Sequence, residues 1–399
     1  MNTAIGTTCL SPRIRFKEFG GAWEARPLGE AFDERNERSG IGRLLSVTIG
    51  EGVIPASENG KRDNSNTDKS NYKCVKTGDL AYNSMRMWQG ACGASAFDGI
   101  VSPAYTVLIP KAEIDSPFAE RLFKLKKILK VFQAYSQGLT SDTWNLKYPA
   151  LSEIELAFPS LPEQWRIAEL FRNLDETIAA TDARLEKLRQ SKKSLLEKMF
   201  PRPGASVPEI RFKGFEGKWK TCKAHTIFET TDELNHPELP VLSANQERGM
   251  IFRNDGGMNI SHDKANEVTY KRVRPGQFVI HLRSFQGGFA HSAVDGIASP
   301  AYTVFRFKNE DEHCDLFWRY VLTSEQFIRS LVKITYGIRD GRSISFDEFS
   351  EESVCFPDKA EQQRIGAFFC EFDKLIESVQ KKAAKLRQVK SALLEEMFV

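Results

Sequence analysis

The 399-residue sequence has no apolar run approaching the roughly 18 residues that cross a bilayer. Its first eleven residues lack the basic and apolar blocks of a secretory leader. Cysteine is scarce: seven residues (9, 74, 92, 222, 314, 355 and 370) form no CxxC pair, and an odd number suits reduced thiols. These absences predict a soluble, globular, cytoplasmic protein. Net charge is nearly absent as well, since 56 Lys and Arg against 53 Asp and Glu leave +3. The resulting pI near 8.3 falls short of the value above about 9 typical of a freestanding nucleic-acid-binding domain. The sequence contains no GxxxxGK[ST], GxGxxG, HExxH or GxSxG, and no Cys/His spacing suited to zinc. All six histidines (225, 236, 262, 281, 291 and 313) lie in the second half.

What the sequence does contain is one unit written twice. PRIRFKEFGGAW at 12–23 returns as PEIRFKGFEGKW at 208–219, identical at 8 of 12 positions. DGIVSPAYTV at 98–107 returns as DGIASPAYTV at 295–304, identical at 9 of 10, and KLRQSKKSLLEKMF at 187–200 returns as KLRQVKSALLEEMF at 385–398, identical at 10 of 14. Three matches in one order, at offsets of 196, 197 and 198, define two halves too long for a solenoid repeat. The repeat sharpens the missing histidine into an exclusion, because two duplicated active sites cannot share a base found in only one half. His281 and His291 could bracket a metal, but Asn83 and Ala94 occupy those places in the first half, so neither a metal nor catalysis is expected. Carboxylates such as Asp373 and Glu377, with lysines nearby, read as a solvated helix face.

Each half ends in a helix with a sustained heptad. Ile167, Phe171, Leu174, Ile178, Thr181, Leu185, Leu188, Lys192, Leu195 and Met199 are spaced alternately by four and three. Ile365, Phe369, Phe372, Ile376, Val379, Ala383, Leu386, Lys390, Leu393 and Met397 repeat that spacing. A period of 3.5 keeps one stripe against a partner helix. SLPE at 160–163 and DKAE at 358–361 read as capping boxes, in which Glu163 and Glu361 reach back to the helix start. About 37 residues at 1.5 Å each give a rod of roughly 55 Å. A pseudo-two-fold axis relating the halves predicts an antiparallel pair.

The remainder of each half reads as mixed α and β. Leu44–Ile49, Leu80–Asn83 and Ala104–Ile109 are short β-prone runs, matched by Val241–Ser243, Gln277–Leu282 and Ala301–Phe307. Glu120–Tyr135 and Cys314–Lys333 read as helices. The fold class is therefore α+β: two sheet-centred domains in tandem pseudo-two-fold repeat, separated by two long helices that form an antiparallel coiled coil. The boundaries fall at 1–159 and 204–357 for the domains, 160–203 for the central helix and linker, and 358–399 for the last helix.

Two joining segments carry recognition chemistry. RMWQG at 86–90 aligns with RSFQG at 283–287, and SQGLTSDTWNLK at 136–147 aligns roughly with YGIRDGRSIS at 336–345. Arg and Gln offer paired donors to base edges, and small residues admit phosphates. Positions shared by both halves, Arg86 with Arg283 and Gln89 with Gln286, cannot by themselves read two different sequences. Differing neighbours are the better readers: Asn83, Met87, Trp88, Thr140, Ser141 and Trp144 in the first half, and His281, Ser284, Phe285, Arg339 and Arg342 in the second, with Lys147 a further DNA-binding candidate. The residues alone leave open a bivalent protein-binding scaffold.

The whole chain resembles the specificity subunit of type I restriction–modification systems. The resemblance rests on the repeat of domain plus long helix, on the helix-start signature PSLPEQWRI (159–167) repeated as PDKAEQQRI (357–365), and on the KLRQ…LLExMF ending. It implies two target-recognition domains, each reading half of a bipartite double-stranded DNA target, and no catalysis in this chain. It further implies two methyltransferase (modification) subunits and motor-nuclease (restriction) subunits as partners. Those partners, not this chain, would bring S-adenosylmethionine, ATP and Mg²⁺.

Overall fold

The computed structural model describes residues 10–60, 67–141, 143–245, 248–256, 264–281, 288–331 and 345–399. The chain divides into two compact units, Met1–Thr181 with Lys382–Val399, and Asp182–Lys381. Both spacer helices form as the heptads predict, at Leu161–Met199 and Lys359–Glu396. Each unit takes the beginning of one helix and the end of the other.

A four-stranded antiparallel sheet centres the first unit, in the order Phe32–Glu34, Tyr105–Pro110, Leu80–Asn83, Cys92–Ala94. The second unit repeats it with Phe228–Thr230, Thr303–Phe307, Phe278–Ile280 and Phe289–His291. Strand periodicity sends alternate side chains to opposite faces. Leu80, Tyr82 and Leu108 join the main helical core with Phe118, Phe123 and Phe132, whereas Ala81 and Val107 join a smaller cluster with Leu45, Val53 and Val101. Phe278, Ile280 and Phe305 against Val279 and Val304 do the same in the second unit. The repeated Asp-Gly-Ile has a steric cause: a Cβ on Gly99 would lie 2.3 Å from the Arg43 carbonyl, and one on Gly296 2.4 Å from that of Pro240.

The two long helical stretches of the domains are each broken. Ser116–Phe123 and Lys126–Tyr135 replace a single helix over 120–135, because Leu125 is extended (ψ 135°) and turns inward, 8% exposed. In the second unit Asp315–Leu322 and Glu325–Leu331 are separated at Ser324, whose hydroxyl caps the Phe327 amide at 3.2 Å.

Every residue of both heptad stripes is buried or half-buried, and most of the helix positions between them beyond the first turns are exposed. In the first unit Asp175 meets Lys390 at 2.5 Å and the Phe171 ring lies 5.9 Å from Phe398, so the segments run antiparallel. In the second, Lys192 bonds Asp373, and Phe200 stacks on Phe369 at 6.1 Å. The two lysines that interrupt the seam thus each face an aspartate. Asp373 is not on a solvated face: it also accepts the Tyr320 hydroxyl at 2.7 Å, while Asp175 accepts Arg121 at 2.9 Å.

Neither helix start is a capping box: the Ser160 side chain makes no hydrogen bond among the described residues, and only its backbone carbonyl accepts, from the Gln164 amide at 3.0 Å. Asp358 does cap the Glu361 amide at 2.9 Å. The glutamates, however, do not reach back. Glu163 and Glu361 are fully buried and each accepts two hydrogen bonds from an arginine of the first repeated motif, Arg15 at 2.7 and 2.7 Å and Arg211 at 2.8 and 2.7 Å. A bidentate charged partner outcompetes a weak bond to a solvated helix end. The neighbouring Gln164 accepts from the Asp115 amide and donates to the Glu113 and Pro159 carbonyls. Gln362 does likewise with Cys314, Glu312 and Pro357. That correspondence makes His313 the counterpart of Ile114.

Two tests follow from this packing. Arg211→Met leaves Glu361 buried and unpaired, which should lower stability in urea melts by about 3–5 kcal/mol; a loss under about 1 kcal/mol would make the pair peripheral. Adding Glu361→Leu should recover most of that loss. His313 is buried, stacked 5.2 Å from Phe307, and accepts the Trp318 indole N–H at Nδ1 (3.3 Å). Burial holds its pKa below the ordinary 6.5, with Glu312 opposing and Lys359 and Lys220 assisting. The neutral ring therefore contributes its full stability above that ordinary value, and loses it as pH falls toward the lower folded-state value. Thermal melts of wild type should soften on going from about pH 7.5 to pH 5.5, and His313→Ile should flatten that slope; an equal slope in both would refute the assignment.

Candidate nucleic-acid interface

The end of strand Leu80–Asn83 opens into a self-bonded turn. Asn83 Oδ1 accepts the Met85 amide at 3.1 Å, Arg86 N–H returns to the Asn83 carbonyl at 2.9 Å, and Gly90 closes the short helix Met87–Gln89 with φ 85°. This turn sorts the residues expected to read DNA. Arg86 is exposed, Asn83, Trp88 and Gln89 are half-buried, and Met87 is 0% exposed. Met87 is therefore a core residue, since the inner face of the short helix points into the main cluster.

The second segment is a hairpin. Gln137 and Asn145 exchange two backbone bonds at 3.0 and 2.8 Å, and Thr143 Oγ1 accepts the Thr140 amide at 3.1 Å. A Cβ on Gly138 (φ 146°) would lie 2.6 Å from the Thr143 carbonyl oxygen, so glycine is required there. Leu139 is wholly exposed, with Thr140 and Ser141 beside it, also exposed.

The structure joins the two segments. The Trp88 and Trp144 rings meet edge to face at 5.2 Å, Trp88 donates to the Met85 carbonyl at 3.2 Å, and the Leu146 amide bonds the Ser84 carbonyl at 2.9 Å. Below them lies a cleft of about 240 Å³ lined by Ser84, Met85, Tyr105, Asn145, Lys147 and Tyr148, among others. Burial, with Asp33 and Glu34 nearby, raises the Tyr148 pKa and keeps its hydroxyl donating to the Phe32 carbonyl at 2.8 Å. Asn145 Oδ1 is shut off from solvent and accepts no hydrogen bond. Among the described residues, neither the exposed Arg86 nor the exposed Lys147 makes an ion pair, and the Arg86 side chain donates only to Gln89 Oε1 at 3.5 Å, so both cations can face an anionic ligand.

In the second unit His281 occupies the place of Asn83. Its amide bonds the Gly288 carbonyl at 2.9 Å as Asn83 bonds Ala91, and its ring lies 6.1 Å from Tyr302. His291 is held instead by Asp315 at 2.7 Å, which lowers that carboxyl's pKa. Arg283, Ser284, Phe285, Gln286, Arg339 and Arg342 lie outside the described residues. No group of three metal-ligating side chains occurs among the described residues, and none of their helices is long and apolar enough to cross a membrane.

Sequence reasoning missed Leu139, Asn145 and the half-exposed Met85. Only the first left a trace, as Gly138-Leu139 aligning with Gly337-Ile338. Trp144→Ala removes the ring that ties the segments together. It should raise amide exchange across 137–146 by roughly tenfold or more, for a contact worth about 1 kcal/mol beyond its buried area. Unchanged exchange would show that the hairpin stands without it.

Residues 23–190 match the family described as type I restriction modification DNA specificity domain. The type I restriction enzyme MjaVIII specificity subunit of Methanocaldococcus jannaschii is 22% identical over 329 residues, 77% of this chain and 76% of its own length. The crystal structure of a type I restriction–modification S subunit from M. genitalium superposes with a TM-score of 0.56 at 15% identity, covering 98% of this chain and 99% of that one. A chain from work on complex assembly and conformational transition of the type I R-M system gives 0.50 at 16%, covering 94% and 97%. The family match lies on the first half, and the second half repeats that half in both sequence and strand order. Over residues 23–190 the chain matches the type I restriction modification DNA specificity domain, and over nearly its whole length it has the fold of type I restriction–modification S subunits.

Proposed function

We propose that the chain reads a two-part duplex target, one half through each unit, and brings methyltransferase and motor-nuclease subunits to it in the cytoplasm. The observation that carries this is one strand framework present twice, with different residues at equivalent loop ends, Asn83 against His281. Identical frameworks would place each unit on DNA in the same way, and the differing residues would make the two half-sites unlike. S-adenosylmethionine, ATP and Mg²⁺ enter through the partners. The small net charge of +3 suits a subunit whose phosphate contacts are shared with them.

Replacing residues 24–158 with the corresponding segment of another specificity subunit should change one half of the methylated sequence and leave the other intact. Single-molecule sequencing of methylated bases reads the outcome, and loss of both halves would contradict separate readout.

A further inference from the structure

We propose that Leu139 is an apolar finger that enters the base stack of the first half-site, unstacking one step of the bound duplex; the proposal rests on the recognition function above. Leu139 is 100% exposed, so it contributes no burial to the fold. Its presentation is nevertheless built. The paired bonds of Gln137 with Asn145, the Thr140–Thr143 bonds, the obligate glycine at 138 and the Trp144 ring on Trp88 all fix the hairpin that carries it.

Its surroundings suit a duplex. The exposed hydroxyls of Thr140 and Ser141 flank it on the hairpin, and the joined turn brings exposed Arg86. Hydroxyls and a cation can hold phosphates while an aliphatic side chain wedges between bases, as in proteins that kink DNA with Leu, Ile or Met. The second half of the sequence carries Gly337-Ile338 at the aligned place. An aliphatic residue common to two halves cannot distinguish two sequences, but it can do the same mechanical work at each. That favours a deformation role over contact with a thymine methyl.

The test uses the full chain with its methyltransferase partner and a duplex bearing the target mapped by methylation sequencing. 2-Aminopurine is placed in turn at each position of the first half-site other than the methylated base and its immediate neighbours, which the methyltransferase itself unstacks. Wild type should brighten one position. Leu139→Ala, which disturbs no packing, should abolish that signal and weaken binding roughly tenfold, with protection of the second half-site retained; Leu139→Met should keep the signal. A protected duplex that brightens nowhere, or equally with Leu139→Ala, overturns this proposal alone. So does loss of binding on replacing one thymine by deoxyuridine without any brightening. A wild-type complex that protects no duplex overturns the recognition reading, and this proposal with it.

Discussion

A buried glutamate at the start of each spacer helix, gripped by two hydrogen bonds from an arginine about 150 residues away in sequence, is the joint on which each unit depends. The arginine-bearing strap also donates backbone bonds to the end of the opposite helix, Ile14 to Glu396 and Ile210 to Lys198. Arg166 and Arg364 lie over Phe16 and Phe212, fastening the strap from outside. Three stretches of chain thus meet at one ion pair. A charge buried this deeply is tolerable only with both lone-pair sets engaged, which ties the strap, the helix start and the domain into one cooperative block.

The helix seam adds a second constraint of the same kind. Hydrophobic stripes alone tolerate slippage by a heptad, whereas an aspartate that must meet a lysine in a half-buried seam does not. Asp175 with Lys390 and Asp373 with Lys192 supply that condition in the two units. Each aspartate also accepts from the domain's own helix, through Arg121 or Tyr320, so register and domain docking are set by one side chain.

What was legible in the sequence followed from local periodicity. The 3.5-residue stripe and the short β-prone runs holding LAYN and YTVLIP could be read, and the structure buries the stripe along the helices and both faces of the strands. Long-range choices were not legible. Glu163 satisfies a capping pattern perfectly well, and nothing near it announces that Arg15 will claim it instead. The break at Leu125 carries no Gly or Pro, because it is set by the core beneath it. In the recognition turn, alternation of polar and apolar letters did not reveal that Met87 faces inward while Trp88 faces Trp144. Leu139 was passed over for the converse reason, since an aliphatic residue ordinarily reads as core.

The Met-Phe that closes each spacer helix completes the core of a unit. Phe398 packs against Trp23, Phe118 and Phe171, while Phe200 packs against Trp219, Phe317 and Phe369. On the ribosome this creates an order of events. The second unit is drawn from the uninterrupted stretch Asp182–Lys381, and can close as soon as that stretch emerges. The first unit is synthesised earlier yet must wait, its aromatic socket open, until the whole of the second has been made and Phe398 arrives. Contacts of such sequence separation are slow to form and leave apolar surface exposed meanwhile. The half made first is the half finished last, and its waiting time is spent exposed to chaperones and to neighbouring chains.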